Sequence, residues 1–163
     1  MSTAADHKKI AAELKEVPGF LFVDHVAISV PQGQLDGQVA AYEMLGFEEI
    51  HREEVRGKDM VRESLLQIGN GPNLIQLVEP LSAESPVQKL IDKNGGRGGF
   101  AHLAFRVKSA QKAFDYMKAN GFTIIDAAPR PGSRGTTVFF VHPKSRAENA
   151  FGYLIEIVED PAK

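Results

Sequence analysis

Cysteine is absent from the 163 residues, which excludes disulfides and thiolate metal ligands together. Any bound metal must take histidine, aspartate, glutamate, glutamine or asparagine, donors that suit a borderline divalent ion better than a structural zinc centre. No apolar run approaches the ~20 residues of a transmembrane helix, and the polar N-terminus has no secretory hydrophobic segment. Basic runs are missing as well. Lys and Arg number 19 against 21 Asp and Glu, a formal net charge of −2. Neither nucleic acid nor a membrane is therefore an expected partner, and the cytoplasm is the default compartment. What is left has an ordinary globular composition, 43% hydrophobic and 25% charged, in a chain about one domain long.

One stretch organises the rest. Val23-Asp24-His25-Val26-Ala27-Ile28-Ser29-Val30 alternates like a half-buried strand and sets an imidazole on the face of two small residues, Ala27 and Ser29. A near-copy returns as Ala101-His102-Leu103-Ala104-Phe105-Arg106-Val107. The pattern suggests a duplicated module with one site built from both copies.

Taken in order, Ala4 to Val17 can form an amphipathic helix with Ile10, Leu14 and Val17 on one face, ended by Pro18-Gly19. Module one (residues 21–80) opens with the histidine strand. A helix over Gln34–Leu45 follows, with Leu35, Val39, Tyr42 and Leu45 inward and Gly46 as its stop. Strands are then predicted at Phe47–Glu54, Met60–Ile68 and Asn73–Glu79. A linker (81–99) holds a short helix with Ser85 as N-cap and Pro86 at its first position, then a glycine-rich loop. Module two (100–159) repeats the order: strand Phe100–Val107, a Ser109-capped helix over Ala110–Asn120, and strands at Thr123–Ala127, Thr136–His142 and Gly152–Val158. The expected fold class is α+β: two tandem βαβββ modules forming a curved, cup-shaped mixed sheet, in a single domain over 21–159 behind an N-terminal helical arm (1–20).

Each module also ends in an apolar strand that holds one polar residue: Leu74-Ile75-Gln76-Leu77-Val78 and Tyr153-Leu154-Ile155-Glu156-Ile157. A bare carboxylate among apolar neighbours is costly unless paired or bound to a metal. His25, Gln76, His102 and Glu156 stand at equivalent places in the two copies and together supply two imidazole nitrogens, an amide oxygen and a carboxylate. Singly, each has a plainer explanation: a structural strand histidine, an amide satisfying the backbone, a carboxylate paired with an arginine. Glu63, on the face of Val61 and Leu65, could be a general base over such a site or the partner of a nearby arginine. His7, His51 and His142 are explained by their places in the arm, in a charged run at a strand end, and in a turn.

The ordered segments Asp24-His25-Val26-Ala27-Ile28, His51-Arg52-Glu53-Glu54, Val61-Arg62-Glu63, Leu77-Val78-Glu79-Pro80-Leu81, Ser85-Pro86-Val87, His102 to Val107, Pro129-Arg130-Pro131-Gly132, His142-Pro143-Lys144-Ser145 and Leu154-Ile155-Glu156 resemble the methylmalonyl-CoA epimerases of the vicinal-oxygen-chelate superfamily. The resemblance covers roughly residues 21 to 159. It implies the paired βαβββ fold and a divalent ion, cobalt first with zinc, manganese or nickel as alternatives. It implies His25, Gln76, His102 and Glu156 as metal ligands and Glu63 as acid/base. It further implies a coenzyme A thioester substrate of the 2-methylmalonyl class, inverted at C2 through a metal-stabilised enolate, and a homodimer. Two proton-transfer groups are needed, one for each face of C2, and Glu156 is the choice for the second. The Gly132-Ser133-Arg134-Gly135 run could offer N–H groups to a substrate carboxylate or be a plain hairpin turn.

The chain departs from that pattern at Ala101, where members often carry a second histidine, in the Arg146–Ala150 insertion, and in its long N-terminal arm. Two other functions share the fold: a glyoxalase-type lyase or isomerase acting on a thiol adduct, and a metal-free binding protein. The four-residue donor set counts against the last.

Overall fold

The computed structural model describes residues 3–6, 8, 9, 19–144 and 151–162. The helix expected over Ala4–Val17 falls mostly outside them, with 4–6, 8 and 9 helical. His7 and the Arg146–Ala150 insertion lie outside them altogether. Along the chain the tandem order is as anticipated: β1 (Phe20–Ser29), α1 (Leu35–Met44), β2 (Phe47–Val55), β3 (Val61–Ile68), β4 (Leu74–Pro80), then the linker helix α2 (Pro86–Lys93). The second set is β5 (Gly99–Val107), α3 (Ala110–Ala119), β6 (Arg130–Pro131), β7 (Thr137–Val141) and β8 (Leu154–Glu159). Among the described residues no helix is long and apolar enough to cross a membrane. By contacts the chain divides into two units, Asp24–Leu103 and Met1–Val23 with Ala104–Lys163.

In the unit Asp24–Leu103 the strands lie in the order β2-β3-β4-β1-β5. β1 runs parallel to β4, while β3 is antiparallel to both β2 and β4. Because side chains alternate along a strand, the sheet has two distinct faces. One face carries Val30, Leu66 and Leu77, which pack with Leu35 and Val39 of α1 into a buried apolar cluster. Leu45, expected inward on α1, is 70% exposed; it is the C-cap residue with ψ near 0, so it has already left the helical stripe. The other face carries His25, Ala27, Ser29, Glu63, Leu65 and Gln76.

The N-cap of α1 is Gln34, whose side chain makes no capping bond. Its orphan N–H groups are met from afar. Glu79, at the end of β4, accepts from Gly33 N at 3.0 Å and Leu35 N at 2.9 Å, and its other oxygen accepts from Arg62 Nη2. The hydrogen bond and charge of Glu79 hold the Arg62 guanidinium above its ordinary pKa. Because Glu79 is only 2% exposed, exchanging its carboxylate for an amide removes a charge-assisted acceptor from three donors. Glu79→Gln is expected to cost about 2–4 kcal/mol of stability in urea unfolding; a loss below about 0.5 kcal/mol, the scale of an ordinary surface change, would show the cap to be dispensable.

α2 and β5 bring the glycine-rich loop against β1. Ser85 caps α2, accepting from Val87 N at 3.3 Å. Ser29 Oγ donates to Gly99 O and accepts from Gly99 N, both at 3.0 Å. A Cβ at Gly98 would stand 2.2 Å from the Ser29 carbonyl oxygen, so only glycine permits this approach.

In the unit formed by residues 1–23 and 104–163 the strand order is β5-β8-β7-β6, with β6–β7 and β7–β8 antiparallel. Ala104, Val138 and Val158 form its core cluster, and Phe114 of α3 meets Phe139 edge-on at 5.3 Å between ring centroids. Ser109 caps α3 as anticipated, accepting from Lys112 N at 3.2 Å. The strand expected at Thr123–Ala127 does not form; one isolated bridge, Ile124 to Val141, takes its place. Asp126 explains the difference. Backbone bonds tie Ile125 N to Phe140 O at 2.8 Å and His142 N to Thr123 O at 2.9 Å. Asp126, buried at 4% exposure, then accepts from Phe140 N and Arg130 Nε, both at 2.8 Å, so a side chain ends the pairing where a longer ladder was expected. The Gly132–Gly135 run is a tight turn between β6 and β7, closed by Gly132 N donating to Thr136 O at 2.9 Å and Thr136 N donating to Ser133 O at 3.0 Å.

Candidate active site and metal centre

In the unit Asp24–Leu103, His25, Glu63 and Gln76 arrive on the face turned away from α1. On β1, His25 pairs in register with Leu74 of β4, and Ala27 with Gln76. On β3, Leu65 pairs with Gln76 and Glu63 with Val78. Glu63 and Gln76 are thus diagonal neighbours on adjacent antiparallel strands, within reach for long side chains. Gln76 Nε2 donates to Glu63 Oε2 at 2.7 Å. Both residues are buried, as are His25 and His102.

The amide orientation follows from this bond. A carboxylate oxygen accepts only, so the NH₂ end of Gln76 must face Glu63. Its oxygen then points the other way, where Oε1 is buried and has no hydrogen-bond partner among the described residues. A buried carbonyl left so costs on the order of 1–3 kcal/mol. A cation would supply the partner that the described residues withhold.

His25 is oriented by its neighbour in sequence. Its Nδ1 lies 2.7 Å from Asp24 Oδ2, with both side chains almost wholly enclosed. The carboxylate fixes the proton on Nδ1 and leaves the Nε2 lone pair directed outward, which is the arrangement that prepares an imidazole as a metal ligand. That Nε2 lies 3.1 Å from Nε2 of His102, with the two rings edge-on at 72°. Two ligand bonds of about 2.1 Å at a right angle would put their nitrogens about 3 Å apart. The histidine pair and the orphaned amide oxygen therefore fit a divalent ion. A nitrogen-to-nitrogen hydrogen bond is the metal-free arrangement of the same pair.

Glu156 occupies β8 in the other unit, paired in register with Phe140 of β7 and 8% exposed. The apolar setting read from its sequence is present: Ile155, Ile157 and Val158 beside it are buried.

Two groups were not singled out from sequence. Asp24 is one. The other is His51 with Glu53, whose charged run in the sequence reads as a strand end. His51 in fact lies inside β2, paired with Leu65, and Glu53 pairs directly with Glu63. One ligand-type atom from each of His51, Glu53 and Glu63 lies within 4.8 Å of the others. The histidine and two acids at alternate and facing positions were a visible signal, but the face they occupy was not.

Residues 24–140 match the family model of the Glyoxalase/Bleomycin resistance protein/Dioxygenase superfamily. The ethylmalonyl-CoA/methylmalonyl-CoA epimerase of Cereibacter sphaeroides is 29% identical over 123 residues, 75% of this chain and 88% of that protein. The crystal structure of methylmalonyl-CoA epimerase from Mycobacterium tuberculosis superposes with a TM-score of 0.77 at 30% identity, covering 90% of this chain and 91% of that one. A variant of the Streptomyces coelicolor methylmalonyl-CoA epimerase, in complex with 2-nitronate-propionyl-CoA, gives a TM-score of 0.76 at 30% identity, over 87% of this chain and 99% of the other.

Proposed function

The chain belongs to the Glyoxalase/Bleomycin resistance protein/Dioxygenase superfamily and, within it, to the methylmalonyl-CoA epimerases, and we propose that it inverts C2 of methylmalonyl-CoA or a closely related 2-substituted malonyl-CoA thioester. The observation that carries the reading is the juxtaposition on one sheet face of a convergent histidine pair, 3.1 Å between nitrogens, and a buried glutamine–glutamate pair at 2.7 Å. Together these offer a cation seat and a carboxylate base.

Epimerisation removes a weakly acidic proton beside a thioester and returns one to the opposite face. Glu63 is the base. Gln76 Nε2 fixes one of its oxygens, so the carboxylate meets C2 already oriented, and the entropy of positioning is spent in folding. Burial keeps bulk water from competing for the hydrogen bond. His25, Gln76 and His102 hold the divalent ion, and Asp24 keeps His25 in the ligating tautomer. Glu156 enters through the sequence pattern, as the counterpart of Gln76 in the second module, with the roles of fourth ligand and second-face proton donor. When bound, the ion supplies Lewis-acid stabilisation of the negative charge that builds on the thioester oxygen. Cobalt as that ion, a homodimer and a cytoplasmic location accompany the family resemblance.

The test is exchange of the C2 hydrogen of (2R)- and (2S)-methylmalonyl-CoA in heavy water, before and after treatment with a chelator. Deuterium is expected to enter both epimers and to stop doing so once the metal is removed. Absence of exchange in either epimer would overturn the proposal.

A further inference from the structure

Strand β2 contains a bulge whose effect on side-chain direction bears on Glu63. Glu49 pairs with Leu66, yet His51, two residues on, pairs with Leu65, a single step along β3. Ile50 is the extra residue. A bulge of this kind reverses which face the following side chains occupy, and bulges are frequent where a side chain must be re-aimed beside a site. Before it, Glu49 lies on the α1 side of the sheet, where it accepts from Ser64 Oγ and from Arg52 Nε and Nη2. Burial raises the Glu49 pKa, and the hydrogen bonds from Arg52 and Ser64 outweigh it and leave the carboxyl below its ordinary value. After it, His51 and Glu53 turn to the opposite face and stand beside Glu63. Without the extra residue, plain alternation would have kept Glu49, His51 and Glu53 together.

The result is a graded row of proton-carrying groups. Glu63 is 3% exposed, whereas the side chains of His51 and Glu53 are 30% and 34% exposed. His51 Nε2 lies 3.5 Å from Glu53 Oε2, and that nitrogen is sealed from solvent and forms no hydrogen bond among the described residues. Two carboxylates directly opposed across a strand pair repel one another when both are charged. An imidazole able to become a cation between them and water is the group that relieves this.

An epimerase whose base is buried has a specific need here. Each turnover leaves that base protonated, and the next turnover in the same direction requires it ionised. We infer that His51, seated by the β2 bulge and by Glu53, is the proton exit for Glu63, so that it sets how fast the base is reset and never touches the substrate. The inference rests on Glu63 being the base. The O–H proton of Glu63 passes to the lone pair of His51 Nε2, which leaves a carboxylate and an imidazolium. The imidazolium then gives its Nδ1 proton to water or a buffer base, which leaves the Nε2–H tautomer. A ring flip or water-mediated tautomer exchange returns the lone pair to Nε2 for the next turnover. Glu53 stabilises the transient cation.

The experiment uses the full-length, metal-loaded protein at fixed pH. His51→Gln is expected to lower kcat about tenfold with KM nearly unchanged, and imidazole buffer, by taking the proton directly, should restore most of that loss. In heavy water the same variant should exchange C2 hydrogen into recovered substrate less often per inversion, since the abstracted proton stays on Glu63 longer. Glu53→Gln, read in the same way, covers the case in which loss of the ring unfolds β2. An unchanged kcat, or a loss that imidazole does not restore, would overturn the relay. Glu63→Gln measured alongside separates the two readings. An active Glu63→Gln protein removes the base assignment and the relay with it, whereas an inactive one beside an unaffected His51→Gln removes the relay alone.

Discussion

Glu63→Gln is expected to lower kcat for methylmalonyl-CoA epimerisation by about 10²–10⁴, the range for removing a general base, while metal content and fold persist. The exchange is close to isosteric. The new amide oxygen can still accept from Gln76 Nε2, so the 2.7 Å contact that orients the glutamine survives and its oxygen stays available to an ion. What disappears is basicity. Because the group acts on the proton in flight more than on the bound substrate, KM should move little, the pattern of an interaction made in the transition state. Steady-state kinetics with metal analysis on the same preparation reads both halves. Activity within about threefold of the parent, far short of the loss expected for a missing base, would return Glu63 to the role of a structural partner for Gln76. Full loss of bound metal would show that the carboxylate is needed to hold Gln76 in its ligating position.

Much of this site could be read from the sequence because its strands obey simple alternation. His25 and Gln76 sit on strands with no bulge between the key positions, so counting by twos from Ala27 or Leu74 puts them on the right face. The duplication made the pairing of His25 with His102 readable, since each opens its module in the same way. The helix caps at Ser85 and Ser109 were legible for a local reason: a cap depends on a side chain and the backbone two or three residues away. The parts that escaped depend on what a linear pattern does not carry. Asp24 and His25 are adjacent, so alternation assigns them to opposite faces, and the bond between them is a matter of side-chain geometry. His51 and Glu53 were hidden by one extra residue at Ile50. The strand expected at Thr123–Ala127 has suitable residues, but Asp126 near its end takes Phe140 N and Arg130 for itself. In each case a single side chain or a single inserted residue overrode a pattern that was otherwise correct.

The Asp24–His25 pair carries the other large expected effect. Removal of the ring in His25→Ala takes away the nitrogen that meets His102 at 3.1 Å, and bound metal should fall to a small fraction of one ion per chain, with activity falling in proportion. Loss of a buried ring also weakens the fold, so the metal-free forms of variant and parent should be compared by thermal melting, and only a variant that stays folded is scored. Asp24→Asn is the finer instrument. It keeps the size of the side chain but replaces an anionic acceptor by an amide, so the proton on His25 Nδ1 is held less firmly and Nε2 becomes a poorer donor to a cation. Loss of such a supporting carboxylate typically costs 10–100-fold in metal affinity, and a competition titration against a chelator of known strength should find a drop of about that size, with the stoichiometry at saturation unchanged. The two variants together distinguish a ligand from its support. His25→Ala should lose the site, and Asp24→Asn should keep a weaker one. Unchanged metal binding in both would mean that the 3.1 Å contact is a hydrogen bond between two structural histidines. The proton chemistry assigned to Glu63 would then have to proceed without an ion on the histidine pair.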